Sequence, residues 1–166
     1  MDYFLLKQLG TISIPREKKH EPGESSVRVM ENIASLRNFD YIAAESLVSD
    51  RVKLLLEQYL PEQEWQPCAF VDPQKQEQET FWFLPPISYV SEDVGFTNGL
   101  PCSVTVNNED FAEKSSGIFY IPNPKGTPFV IVHLSVAESI LRRGFCGLIL
   151  ERLPGRPGSG SKAGIV

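Results

Sequence analysis

Residues 130–141, VIVHLSVAESIL, pass from an apolar strand pattern directly into an amphipathic helix. The run ending at Leu134 is apolar enough for a buried strand, and apolar residues then recur at helical spacing up to position 141. Ser135 is predicted to cap the helix N-terminus, with Glu138 three residues on completing a capping box. Gly144 provides the expected C-terminal stop. This segment therefore predicts a strand, a serine-capped helix and a turn in immediate succession.

The same arrangement occurs earlier in the chain, at residues 47–55, LVSDRVKLL. Ser49 is the predicted N-cap, and Asp50 places a negative charge in the first turn, where it suits the helix dipole. Pro61 is predicted to close this helix. Apolar residues precede each helix and another strand candidate follows it. The sequence thus contains two copies of a unit made of strand, serine, helix and strand.

Further short apolar segments, bounded by Pro, Gly, Asn or Asp, predict additional strands. They cover residues 3–8, 11–14, 68–71, 80–84, 87–90, 102–106 and 118–121. The polar residues 15–26 predict a loop, and residues 27–39 fit only a short strand or a turn-rich crossover. Because the helices are confined to two places, the predicted fold class is α+β, a mostly antiparallel sheet with a few short helices packed against it.

Length and composition predict one domain over residues 1–153, followed by a flexible Gly/Pro/Ser-rich tail at 154–166. No apolar stretch approaches the roughly 20 residues that cross a bilayer, and the start lacks a secretory pattern, so a cytoplasmic protein is expected. Three cysteines, Cys68, Cys102 and Cys146, are an odd number without a C-x-x-C pair. They are predicted to be buried free thiols rather than a disulfide framework or a zinc site.

Charge is unevenly distributed along the chain. The net charge is -5, but residues 39–113 contain 14 acidic residues and three basic ones. Such a stretch repels nucleic acid and attracts a basic protein partner. A solvated acidic face that only maintains solubility is the alternative interpretation.

Candidate catalytic groups are few. The histidines are His20, in the polar loop, and His133, which could pair with Ser135 or Cys146 as a nucleophile. However, Ser135 is already explained as a cap, and Cys146 is predicted to lie in an apolar strand. Neighbouring acids, such as Glu77 and Glu79, have no calcium-loop order and fit solvated turns. The prediction is a protein without enzymatic activity, metal or cofactor, although a glycosidase-type pair of distant carboxylates stays open.

An aromatic cluster, Phe81-Trp82-Phe83, lies within the acidic half. Strand alternation turns Phe81 and Phe83 to one face and Trp82 to the other. Trp82 is then either an interface anchor with acidic neighbours or part of a second buried layer beneath the helices.

The order of these elements resembles a bacterial immunity-protein family of polymorphic toxin systems, long catalogued as a domain of unknown function with paired serine-capped helix motifs. The resemblance rests on the two motifs at residues 47–55 and 130–141, together with Gly144-Phe145-Cys146-Gly147-Leu148. It covers about residues 1–153 and its motifs are structural. It implies a cytoplasmic protein that binds a cognate toxin and blocks it, and it carries over no catalytic residues.

The sequence therefore favours a binding protein that neutralises a cognate bacterial toxin, expected to be basic, through an acidic surface. Nucleic acid and membrane are not expected partners. Alternatives are an accessory or scaffold protein that binds another cellular or phage component, or an unrecognised hydrolase that uses scattered carboxylates. The predicted contact residues are Glu62, Glu64, Trp65, Asp72, Glu77, Glu79, Trp82, Glu92 and Asp93.

Overall fold

The computed structural model describes residues 2–16, 25–89, 94–106 and 116–155. Within them the chain forms eleven strands, two α-helices and two short 3₁₀ helices. In chain order these are β1 (Tyr3–Gln8), β2 (Ser26–Val29), a 3₁₀ helix (Ile33–Asn38), β3 (Tyr41–Ile42), a 3₁₀ turn (Ala43–Glu45), β4 (Leu47–Ser49), α1 (Asp50–Leu56), β5 (Gln66–Asp72), β6 (Glu77–Phe83), β7 (Val94–Thr97), β8 (Leu100–Val104), β9 (Ile118–Ile121), β10 (Phe129–His133), α2 (Leu134–Arg142) and β11 (Leu148–Leu153).

The strands form two main sheets and a separate hairpin. The first sheet is antiparallel, with the strand order β11-β1-β10-β9. The second has the order β2-β5-β6-β4-β3, and its β2–β5 pair is parallel. Strands β7 and β8 pair with each other in a two-stranded hairpin. The predicted α+β class with mostly antiparallel sheets and a few short helices is confirmed.

Both helices pack into a core that the two sheets share. Strand alternation sends Leu6 and Val130 of the first sheet, and Tyr41 and Val48 of the second, into this cluster. Val52 and Leu55 from α1, and Val136 and Ile140 from α2, fill the space between them. The far face of the first sheet is covered by Val104 of the β7–β8 hairpin, and the far face of the second by Ile33 and Leu36 of the 3₁₀ helix.

The sheets are also tied together through one aspartate, Asp40, which lies just before β3 and is buried. One carboxylate oxygen accepts from the Ser49 hydroxyl at 2.6 Å, and the other accepts from the Cys146 backbone N–H at 2.6 Å. Next to it, a Cβ on Gly147 would lie 2.5 Å from the Asn38 carbonyl oxygen. The turn between α2 and β11 therefore presses directly against the second sheet.

Two of the predicted strands do not form. Residues 11–14 have no strand partner, and Ile12 and Ile14 instead pack against the core cluster of the 3₁₀ helix. Residues 87–89 make a single bridge, from Tyr89 to Tyr120, instead of a strand. Residues 17–24 of the predicted loop at 15–26, and residues 156–166 of the predicted tail at 154–166, lie outside the described residues.

The two predicted caps have different outcomes. Ser49 is the N-cap of α1, and its side chain accepts from the Val52 N–H at 3.3 Å, as predicted. The prediction for Ser135 is wrong, because α2 begins at Leu134 and His133 is its N-cap. The His133 ring Nδ1 accepts from the Ser135 N–H at 3.3 Å. The cap therefore lies two residues earlier than predicted, and its acceptor is a ring nitrogen rather than a serine hydroxyl.

Helix ends and cysteines require further corrections. Helix α1 ends at Leu56, before Pro61, and turns carry the chain to Leu60. All three cysteines are free, but only Cys68 is buried, whereas Cys102 and Cys146 are exposed. Among the described helices, none has the length and apolar character needed to span a membrane.

Candidate binding surfaces

The predicted acidic contact residues fall into two groups at opposite ends of the β5–β6 hairpin. Glu62 and Glu64 are exposed in the turn that leads into β5. Asp72 and Glu77 face each other at the far end of the hairpin. Seven residues of extended strand separate the groups by about 20 Å. The structure therefore does not bring these acids together in one patch, and Glu92 and Asp93 lie outside the described residues.

Two acids at the far end of the hairpin, Asp72 and Glu79, are engaged within the chain. Asp72 is buried, and its Oδ1 accepts from the backbone N–H groups of Gln74 and Lys75 at 3.1 and 3.3 Å. Glu79 accepts from Arg37 Nε at 2.6 Å, and this hydrogen bond raises the pKa of Arg37. These side chains hold the turn and the 3₁₀ helix in place.

Both predicted tryptophan anchors contact the shared core. Trp82 packs beneath α1, its Nε1 donates to Asp50, and Lys53 Nζ lies 4.2 Å from the centre of its ring. Trp65 is half-buried, and its Nε1 has no hydrogen-bond partner among the residues described. Trp82 is partly buried in the layer beneath α1, which fits the second of its two interpretations, and its role as an interface anchor stays a prediction.

The nucleophile candidates are held by structural contacts. His133 Nδ1 lies 3.2 Å from Ser135 Oγ, but the same nitrogen caps α2, and burial lowers the pKa of His133. The Cys146 N–H donates to Asp40. No group of three or more metal-ligating side chains occurs within the described ranges.

A different surface, formed by α1, α2 and β11, exposes apolar side chains. Leu54 and Leu141 are 64% and 66% exposed, and Ile149 is also exposed. Two clefts of about 300 and 250 Å³ lie here, and Phe145 lines both. The term arginine-rimmed surface denotes these apolar residues together with three arginines: Leu54, Leu141, Phe145, Ile149, Arg51, Arg142 and Arg143.

The arginines of this surface are held in place by its own backbone and by an aromatic ring. The Arg51 guanidinium lies 5.1 Å from the centre of the Phe145 ring and donates to the Arg143 carbonyl at 3.4 Å. Arg143 donates to the Ser139 carbonyl at 3.0 Å, and Arg142 lies 3.9 Å from the Glu138 carboxylate. Arg51 and Arg143 have no acidic partner within the described part of the chain.

Sequence reasoning missed this surface. The helical spacing grouped Leu141 with the apolar residues of α2 that were expected to be buried. In the structure, the side chain of Leu141 is exposed to solvent. For α1 a signal was available, because Val52, Leu55 and Leu56 define the inward stripe and leave Leu54 outside it. The juxtaposition of the two helices, by contrast, follows only from the tertiary structure.

Comparison with family models and with curated proteins finds no match to this sequence.

Proposed function

We propose that this chain is a non-enzymatic binding protein that neutralises a cognate bacterial toxin by covering it. The observation that carries the proposal is the exposure of Leu54 and Leu141 beside Phe145, with arginines around them. The centre of a protein interface is typically apolar and aromatic and enriched in arginine. A partner side chain inserted into the clefts beside Phe145 would bury these exposed leucines. The resemblance of the two helix motifs to immunity proteins supports a toxin as that partner.

The acidic residues Glu62 and Glu64 contribute to the same contact. Gln58 lines the cleft beside Arg51. Glu62 comes four residues after Gln58, so at most about 14 Å of chain separates Glu62 from that cleft residue. A standard interface of about 800 Å² per partner is about 30 Å across and spans that distance. The toxin then presents carboxylates to Arg51 and Arg143 and basic residues to Glu62 and Glu64. The long-range attraction of these glutamates for a basic toxin speeds its association.

The first test is capture of the partner with the tagged chain from native host lysate, at low and then moderate salt, with identification by mass spectrometry. Each captured protein is then purified and assayed for toxicity and for inhibition by this chain. A toxic protein that this chain inhibits supports the proposal. Capture of proteins that it binds without inhibiting would contradict the proposal and favour the scaffold alternative.

The second test assigns the surface through binding kinetics. The double variant Leu54→Gln/Leu141→Gln removes two exposed apolar anchors while keeping good helix formers, so we expect dissociation at least about tenfold faster. Glu62→Gln/Glu64→Gln is expected to slow association at low salt and to change dissociation little. Leu100→Gln, at an exposed leucine of the β7–β8 hairpin that lines neither of the clefts beside Phe145, is the matched control. Equal kinetics for all variants would remove this surface from the proposal.

A further inference from the structure

A second concave region, the intersheet cleft, opens between β1 of the first sheet and the 3₁₀ turn of the second. Its volume is about 570 Å³, and it shares no lining residue with the arginine-rimmed surface. Residues 125–128, before β10, and Phe129 at its start form another wall, which Leu100 of the β7–β8 hairpin also lines. Volumes of 300–1,000 Å³ are typical of sites for small organic ligands.

Several polar side chains that line the cleft are hydrogen-bonded to other described residues of the chain, whereas two cationic side chains are not. Glu45, the carboxylate of the lining, is bound through both oxygens by the buried Arg28, with Nη2 at 2.8 Å. Thr127 donates to the Ala44 carbonyl, and Gln8 Oε1 accepts from the Ala43 N–H at 3.0 Å. These contacts fix the walls and leave no negative charge unpaired in the lining.

Positive charge remains in the cleft. Lys7 Nζ pairs with Glu151 at 2.9 Å, on the outer side of β1. The side chains of Arg16 and Lys125 have neither an ion pair nor a hydrogen bond with any residue that the structure describes. Since the Glu45 charge is neutralised by Arg28, the cleft is cationic as a whole. Guanidinium and ammonium groups in a concave site are the donors that recognise carboxylate and phosphate.

We propose that the intersheet cleft binds a small organic anion, with its charged group on Arg16 and Lys125 and its apolar body against Leu100 and Phe129. The apolar body follows from the lining, because Leu100 is exposed and Phe129 half-buried at the wall of the cleft. Its size follows from the volume, which exceeds that of an inorganic anion several times over. This inference does not depend on the proposed toxin partner.

The test uses 8-anilinonaphthalene-1-sulfonate, which joins a sulfonate to an apolar aromatic body, and its uncharged relative N-phenyl-1-naphthylamine. Binding of each to the full chain is titrated by fluorescence at pH 7. We expect saturable binding of the sulfonate at one site and at least about tenfold weaker binding of the uncharged probe. The variant Arg16→Gln/Lys125→Gln is expected to weaken sulfonate binding at least about tenfold, at an unchanged melting temperature.

The control variant Arg51→Gln/Arg143→Gln removes the cations of the arginine-rimmed surface and should leave sulfonate binding unchanged. If this variant loses binding while Arg16→Gln/Lys125→Gln retains it, the anion site lies elsewhere and the inference is wrong. Equal affinities for the two probes would also overturn it, because the cations would then contribute nothing. As a second readout, amide chemical shifts at Lys125, Gly126 and Thr127 should move on titration in the wild-type chain.

Discussion

Two buried tyrosines show how the same side chain has opposite effects on stability in different surroundings. Tyr3 is buried, its hydroxyl has no hydrogen-bond partner among the described residues, and burial raises its pKa to about 12. Tyr120 is also buried, but its hydroxyl donates to the Pro85 carbonyl at 3.2 Å. A buried hydroxyl without a partner costs free energy, whereas a paired one is about neutral or stabilising.

We therefore expect Tyr3→Phe to raise the free energy of unfolding by about 1 kcal/mol and Tyr120→Phe to lower it by about 1 kcal/mol. Urea denaturation of the two variants beside wild type measures both changes. The two substitutions delete the same atom, so hydrophobicity alone predicts equal shifts. Shifts of the same sign would contradict the hydrogen-bond assignment at one of these hydroxyls.

The caps show what could be predicted at single residues. Ser49 was predictable as a cap because the helix begins immediately after it, at Asp50. Ser135 has the same local pattern, but β10 continues to His133 and α2 starts at once, which leaves the ring nitrogen of His133 nearest the free N–H groups. Local propensity cannot tell these cases apart, since the end of β10 is set by its pairing with β1.

At the level of elements, the cap of α2 makes the stability of this helix depend on pH. Burial lowers the pKa of His133, so the neutral ring is the form that the folded protein favours. As the pH falls below the ordinary value of 6.5, the unfolded chain takes up more protons than the folded one. Protonation also removes the Nδ1 acceptor and places a positive charge at a helix N-terminus.

We expect the urea midpoint of the wild type to fall between pH 7.5 and pH 5.5, and His133→Asn to show a smaller fall. Asparagine retains an acceptor for capping but does not titrate in this range. Ser135→Ala is the companion variant: it keeps His133 and the backbone N–H from which Nδ1 accepts, so its fall should stay larger than that of His133→Asn. A wild-type slope that persists in His133→Asn would assign the dependence to other groups.

Several strands were predictable from their apolar runs, and the β7–β8 hairpin was also predictable from its turn. Predicted residues 118–121 coincide with β9, while β5 and β6 extend beyond their predicted bounds. Strand β7 was missed, although Asn98-Gly99 between β7 and β8 is a strong signal for a two-residue hairpin turn. Both residues have positive φ, 54° and 78°, as that turn requires. The parallel pairing of β2 with β5 has no local signal in the sequence.

At the scale of the whole molecule, Asp40 joins the second sheet to the turn between α2 and β11. Its carboxylate accepts from the Ser49 hydroxyl and from the Cys146 N–H. Asp40→Ala leaves both donors without this acceptor, so we expect the free energy of unfolding to fall by about 2–4 kcal/mol.

The matched control for Asp40 is Asp2→Ala. Asp2 pairs with Arg152 at 3.1 Å on the surface, where an ion pair contributes at most about 1 kcal/mol. Urea denaturation measures both variants under the same conditions. Comparable losses from the two substitutions would show that Asp40 does not hold the sheets together.

The distribution of surface charge is a property of the fold that composition predicted only in part. The sequence showed an acidic half, but the β5–β6 register sends its acids to opposite ends of a hairpin, and Arg37 and two backbone N–H groups engage some of them. The arginine-rimmed surface joins Arg51 to Arg143 across 92 positions of sequence, so it appears only once α1 and α2 pack together.

Neutralisation of a toxin through the arginine-rimmed surface, as proposed above, is tested by the survival of cells on co-expression. Host cells would express the captured toxic partner with wild-type chain, with Leu54→Gln/Leu141→Gln, or with the control Leu100→Gln. We expect survival with wild type and with the control, and loss of protection with the double variant at equal protein abundance. Death of cells that express the wild-type chain, or full protection by the double variant, would contradict it.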